Sequence, residues 1–322
     1  MTEEKKIEQR KANLIPRVLL ACPSSIRHKE VCEKWIKHLN TLTYINFDVC
    51  IVDTTADTDE YFKLLKTKKV KGKEIITWRS GWDKNKRPFS VQMLADVRQE
   101  IQEYFLKNNY DNLFWLDDDI FIPKNGIQKL LWYDKDCVGF YVHVYPKGKH
   151  IPCVFKSGEI IMGKGLEYFT FAEIKEYKKF ADRFVKNKLK LNEQHLIPFL
   201  IKDKQKPYLF NTYAVNLGCL MVKHKVVEKV PFRTHEQFIM GEDLWWFAEA
   251  NDKKFEFWCD SSCRPRHENT SWDPITKQEP RKAPEFWFAL GPSEGDKVEI
   301  IKRDWHLRKR KISLQGYGGI KN

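Results

Sequence analysis

The chain alternates between two hydrophobic periods in its first half. Arg17-Val-Leu-Leu-Ala-Cys22 is a short apolar run stopped by Pro23-Ser-Ser25, as expected of a buried strand that opens into a loop. Val31, Trp35, Leu39 and Leu42 then recur at helical spacing. Phe47-Asp-Val-Cys-Ile-Val-Asp53 reads as a second buried strand and Ile75-Ile-Thr-Trp78 as a third. Val91, Leu94, Val97, Ile101 and Phe105 mark an amphipathic helix with Ser90 as its N-cap, and an apolar strand ending at Leu116 follows. This alternation predicts an α/β fold with a mostly parallel central sheet covered by helices on both faces. In such sheets ligands bind beyond the carboxyl ends of the strands, where Pro23, Ser24, Ser25, Asp53 and Asp117 to Asp119 fall.

After Leu131 the pattern changes. Cys137 to Tyr145 is strand-like, and Ile151 to Phe155 is expected to form a hairpin with it. Phe171 to Leu191 is highly charged and reads as a helix or a peripheral insertion. Thr212 to Val222 reads as one buried strand interrupted by Gly218, Glu242 to Ala250 as a short helix and Lys254 to Cys259 as a strand. The sequence divides into a polar lead over 1–13, expected to be disordered, one domain over 14–291 and a basic extension over 292–322. Within the domain, the change of pattern separates 14–131 from 132–291.

With 322 residues, 42% of them hydrophobic and 14% aromatic, the chain can bury a sizeable core. No stretch reaches the roughly 18 to 20 apolar residues of a membrane span, and the amino terminus has no signal-peptide core, so a cytoplasmic location is expected. Most of the eight cysteines sit in apolar strand-like runs, where a free thiol acts as a small hydrophobe. Cys259, Cys263 and His267 have the spacing of a helical zinc site, but Pro265 interrupts any such helix. The net charge of +13 favours polyanionic partners, although solvated helix faces account for such lysines equally well.

The chemistry concentrates where Asn112-Leu-Phe-Trp-Leu-Asp-Asp-Asp-Ile120 passes from an apolar strand into three consecutive carboxylates. Adjacent acids repel one another, and buried charge is costly unless paired or bound to metal. Mg²⁺ and Mn²⁺ take carboxylate oxygens and share themselves with substrate phosphates, so this strand end suggests a metal-bridged diphosphate site. The alternative is a solvated acidic turn. Glu242 and Asp243 open a predicted helix, where acids are favoured in any case.

In this order the acidic triplet, Gly241-Glu-Asp-Leu-Trp-Trp246 and Arg264-Pro-Arg-His267 resemble the metal-dependent glycosyltransferases of the GT-A fold, over roughly Arg17 to Asn269. The resemblance implies a mostly parallel central sheet flanked by helices, with a smaller acceptor-side sheet. It also implies a nucleotide-binding half over 14–131, an acceptor-binding half over 132–291, and transfer of a sugar from a nucleotide-diphosphate donor, UDP-sugar favoured, to an acceptor hydroxyl, with inversion as the outcome expected from the Glu-Asp pair. Asp119 becomes the direct ligand of Mn²⁺ or Mg²⁺, with Asp117 and His267 completing the metal site. Pro23, Ser24, Ser25, Asp53, Asp117 and Asp118 line the donor pocket. Arg79 and Arg87, in a loop region that also carries Lys84 and Lys86, reach the diphosphate. Asp243 is the general base with Glu242 beside it, and Gly218, Trp245 and Trp246 face the acceptor. No Gln-x-x-Arg-Trp motif is present, which argues for single additions.

The acceptor follows from charge alone. One option is DNA bearing hydroxylated bases; the other is a glycan, a lipid-linked saccharide or a protein, with the basic surface making peripheral contact with an anionic membrane. A nucleotidyltransferase ranks lower because Cys22-Pro-Ser-Ser-Ile-Arg-His28 lacks a Gly-rich phosphate loop, and a non-catalytic nucleic-acid binder is disfavoured by carboxylates that repel phosphate.

Overall fold

The computed structural model describes residues 15–56, 58–80, 90–144, 151–159, 164–185, 208–233 and 242–268. The polar lead over 1–13, the loop with Lys84, Lys86 and Arg87, and the basic extension over 292–322 lie outside the described residues. In chain order the principal elements are β1 (Val18–Ser24), α1 (Lys29–Leu39), β2 (Phe47–Asp53), α2 (Glu60–Lys66), β3 (Ile76–Arg79), α3 (Ser90–Lys107) and β4 (Asn112–Leu116). They continue with α4 (Gly126–Tyr133), β5 (Cys137–Phe140), α5 (Phe171–Val185), β6 (Leu209–Thr212), β7 (Cys219–Lys223), α6 (His224–Lys229), α7 (Glu242–Asp252) and β8 (Phe257–Asp260).

Eight strands form one sheet in the order β6-β8-β5-β7-β4-β1-β2-β3. Every strand pairs in parallel with its neighbour except where β7 lies between β4 and β5 and where β6 lies on β8, so the sheet is mostly parallel. Alternation along each strand divides the core. Leu19, Ala21, Cys50, Val52, Leu113 and Trp115 face the helices α3, α6 and α7. Val18, Leu20, Cys22, Val49, Ile51, Phe114 and Leu116 face α1, α2 and α4. Both faces are therefore covered, and the inner strands read as continuous apolar runs for that reason.

The sheet crosses the boundary expected at residue 131, since β5 to β8 join β1 to β4 in a single layer. The run Thr212 to Val222 is not one strand: it holds the end of β6 at Thr212, the short strand Ala214–Val215 and most of β7. Ala214–Val215 leaves the main sheet to pair with Val154–Phe155 in a small three-stranded sheet, and β7 begins after the turn at Leu217–Gly218. Strand β1 also extends through Pro23 to Ser24, because its register with β2 holds as far as Ser24 opposite Asp53. Among the described residues, no helix is long and apolar enough to cross a membrane.

Candidate functional site

Parallel register brings four strand ends to one edge: Ser24 is opposite Asp53, Asp53 is opposite Arg79, and β4 runs beside β1 into the acidic triplet. The three carboxylates then turn in three directions.

Asp119 is 6% exposed and meets a residue from far along the chain. Arg266–His267 pairs antiparallel with Ile120–Phe121, and this short ladder sets His267 Nε2 3.2 Å from Asp119 Oδ2. The other ring nitrogen, Nδ1, lies 2.6 Å from the carbonyl oxygen of His143. A carbonyl can only accept, so Nδ1 carries a proton and donates it. Nε2 then faces a carboxylate either as an imidazolium donor or with a cation between the two. Burial lowers the His267 pKa, but the hydrogen bond and charge of Asp119 outweigh it and the net direction is upward. A backbone carbonyl that fixes the tautomer of a ligating histidine is a common arrangement at metal sites. Among the described residues, no group of three or more His, Cys, Asp or Glu side chains is gathered closely enough to hold a metal. The protein's offer is thus one carboxylate and one imidazole, which suits an ion that takes its other ligands from phosphate and water.

Asp117 turns elsewhere. Its Oδ1 lies 3.8 Å from Arg98 Nη2, its N–H donates to the Gly218 carbonyl at 2.9 Å, and its side chain is 38% exposed. Surrounding protein raises its pKa to about 6, with Arg98 opposing. Of the expected metal set, the structure brings together Asp119 and His267 and leaves Asp117 facing Arg98 and Gly218.

Asp118 is directed into the protein and does not line a donor pocket. It is 2% exposed; Oδ1 is 2.8 Å from His28 Nδ1, and Oδ2 accepts from the Ser24 hydroxyl. That hydroxyl also lies 2.7 Å from Tyr61 OH. Ser24 and Asp118, both expected as donor contacts, therefore form an internal brace between β1, α2 and the acidic turn. Pro23 is likewise a strand residue, opposite Val52, and Ser25 precedes the single turn Ile26–His28 that leads into α1.

Asp53 is fully buried at the end of β2, where its Oδ1 accepts from Thr55 N–H at 2.8 Å. Among the described residues neither its Oδ2 nor Arg79 Nε, 3.8 Å away, has a hydrogen-bond partner. Arg79 is anchored by donating from Nη2 to the Thr55 carbonyl at 2.9 Å. The two side chains form an ion pair without a hydrogen bond, and both of these atoms are closed to solvent.

On the acceptor side, Glu242 is 6% exposed and accepts from Arg98 Nε at 3.2 Å. Asp243, half-buried, accepts from Leu244 N–H at 2.7 Å. Burial raises the pKa of both, and mutual repulsion adds to the rise at Glu242. Trp246 is a core residue and not an acceptor platform: it is 0% exposed, stacks on Phe232 at 5.5 Å and donates from Nε1 to the Val230 carbonyl. Trp245 is half-buried. Gly218 lies beneath Asp117, where a side chain would strike the carboxylate. Cys259 is buried within β8 and Cys263 half-buried after it.

Sequence reasoning passed over Arg98, His28 and Tyr61. Arg98 was detectable, because Leu94, Arg98, Ile101 and Phe105 share one helical face and a cation on an apolar face needs a partner.

No family model matches the chain, and a search of curated proteins finds no match. A solved crystal structure of a mycobacterial protein superposes with a TM-score of 0.42 at 10% sequence identity, covering 81% of this chain and 70% of the other.

Proposed function

We propose that this protein is a metal-dependent glycosyltransferase of GT-A type that moves a sugar from a nucleotide-diphosphate donor to an acceptor hydroxyl. The observation that carries the reading is the meeting of Asp119 with His267, whose tautomer is fixed by the His143 carbonyl so that Nε2 faces the carboxylate. The small sheet of Val154–Glu159, Lys164–Tyr168 and Ala214–Val215 beside the main one supports it, as does the acidic turn at the carboxyl edge. A divalent ion at Asp119 and His267 would supply charge neutralisation for the departing nucleotide diphosphate.

The chain's own residues account for the remainder. Asp53 and Arg79 form a buried ion pair at the carboxyl edge of β2 and β3, which would shape the floor of a nucleotide pocket there, and UDP-sugars are the donors favoured. Asp243 takes the proton of the acceptor hydroxyl as its oxygen bonds to the anomeric carbon. The bond from that carbon to the diphosphate oxygen breaks, and its electron pair leaves with the diphosphate. A raised pKa strengthens Asp243 as a base. The net charge of +13 favours a polyanionic acceptor, with DNA bearing hydroxylated bases the version to test first.

The test is a thermal-shift screen of UDP, GDP, ADP and CDP with and without Mn²⁺. A ligand at about a hundred times its Kd stabilises the fold by roughly 2.7 kcal/mol. Stabilisation by UDP that requires Mn²⁺ is expected; no shift with any nucleotide would overturn the donor site.

A further inference from the structure

Arg98 lies on the inward side of α3 and is 6% exposed. Burying a guanidinium costs several kcal/mol unless its charge and hydrogens are matched. Its two partners come from separate parts of the fold. Asp117 Oδ1, at the end of β4, is 3.8 Å from Nη2, and Glu242 Oε1, in the first turn of α7, accepts from Nε at 3.2 Å. Aromatic rings close the other sides, with Cζ 5.0 Å from the Trp115 centroid and 5.9 Å from that of Phe232. The third nitrogen, Nη1, is buried and has no hydrogen-bond partner among the described residues. The helix that carries Arg98 itself packs on β1, β2, α6 and α7.

We propose, resting on the glycosyl-transfer reading above, that Arg98 is a positioning residue that sets the spacing between the donor and acceptor sides of the site. Asp117 belongs to the donor side, and Glu242 precedes the base Asp243. Left to themselves, the carboxylates of Asp117, Asp119, Glu242 and Asp243 repel and push the two sides apart. One planar guanidinium, lying against both Trp115 and Phe232, ties the two sides together through its charge at Asp117 and its hydrogen bond to Glu242. A lysine cannot substitute, because a point charge on a flexible stem does not fix two carboxylates in one plane. A residue of this kind acts on turnover more than on donor affinity, since it touches neither the base pocket at Asp53 nor the Asp119–His267 pair.

The experiment compares wild type, Arg98→Gln and Arg98→Lys, each with Mn²⁺, on UDP-glucose, UDP-galactose and UDP-N-acetylglucosamine. It follows release of UDP to water and the Kd of UDP, and a melting curve confirms that each variant is folded. For Arg98→Gln the UDP Kd is expected within about threefold of wild type, while UDP release falls about 100-fold, as for a misplacement of the reacting groups by an ångström. Arg98→Lys is expected to stay at least about tenfold below wild type in UDP release with its affinity intact. A folded Arg98→Gln that turns over like wild type, or affinity falling in step with rate, overturns the proposal. If Arg98→Gln does not fold, Arg98→Lys decides: full turnover would overturn it. A wild type that neither binds UDP nor releases it overturns the transfer reading and this proposal together.

Discussion

The carbonyl of Gly218 accepts the backbone N–H of Asp117 at 2.9 Å, and a Cβ built on Gly218 would lie 2.0 Å from Asp117 Oδ2. The turn that starts β7 is therefore pressed directly against the first carboxylate of the acidic end, and only a residue without a side chain allows it. The requirement is one of close approach.

Gly218→Ala should displace the Asp117 carboxylate and leave the rest of the fold in place. Its added methyl is expected to cost about 1–3 kcal/mol of stability, as overpacking does. UDP release from a UDP-sugar should fall about tenfold or more, with UDP affinity measured by calorimetry within about threefold, because the shift misplaces a carboxylate without touching the Asp119–His267 pair. Unchanged turnover in a folded variant would remove Asp117 from the site.

Asp119→Asn and His267→Gln should each abolish the metal-dependent part of UDP stabilisation, up to roughly 2.7 kcal/mol under saturating conditions. Each substitution also breaks the Asp119–His267 contact, so some loss of stability without ligand is expected, and the metal-dependent part is read as the difference with and without Mn²⁺ in the same variant. Metal-dependent stabilisation that survives in both variants would show that the cation sits elsewhere.

His28 predicts a pH dependence of stability. The hydrogen bond to Asp118 is the largest influence on its pKa and, with burial opposing, raises it from 6.5 to about 9. The folded pKa lies above the unfolded one, so the contribution is fully present below pH 6.5 and is lost as pH rises through about 9. Denaturant titrations at pH 6 and pH 9.5 should show wild type losing about 1–3 kcal/mol more than His28→Gln over that interval. Equal losses in the two proteins would show that the pair is not an ionic one.

Trp246→Ala should destabilise by about 3–5 kcal/mol, the usual cost of emptying a large aromatic site in a core. Trp245→Ala, at a half-buried position, should cost clearly less in the same denaturation assay. The reverse order would mean that Trp246 is not the core anchor of α7.

Binding to duplex DNA carrying hydroxymethylated cytosine should weaken with salt, with a slope of about −0.9 in log K per phosphate contacted. Gel-shift titrations at several salt concentrations check this. Salt-insensitive binding, or none, would shift the acceptor to a glycan, a lipid-linked saccharide or a protein.

Much of this architecture was legible in the amino-acid order because helix and strand periods are local. The strand Phe47–Asp53 has the same limits in the sequence pattern as in the structure, and the Val91 to Phe105 period became α3. The acidic end of β4 was legible for a related reason: a change from apolar to acidic positions marks where the strand stops, although Asp118 and Asp119 stay buried. The run Thr212 to Val222 was not, since an apolar stretch looks alike whether it serves one sheet or two.

Direction was decided only in three dimensions. Asp117, Asp118 and Asp119 are neighbours in sequence, yet Asp118 is held by Ser24 and His28, 94 and 90 residues away, and Asp119 faces His267 at a separation of 148. Successive side chains on a turn point different ways, and each takes the partner that tertiary packing delivers. Arg98 and Glu242, 144 residues apart, are the same case. The sequence by itself determined which segments are buried and where charge gathers, because those follow from periodicity and composition. Which carboxylate meets His267, and which is buried in an internal brace, was decided by strand register and by the cost of leaving a buried charge unpaired.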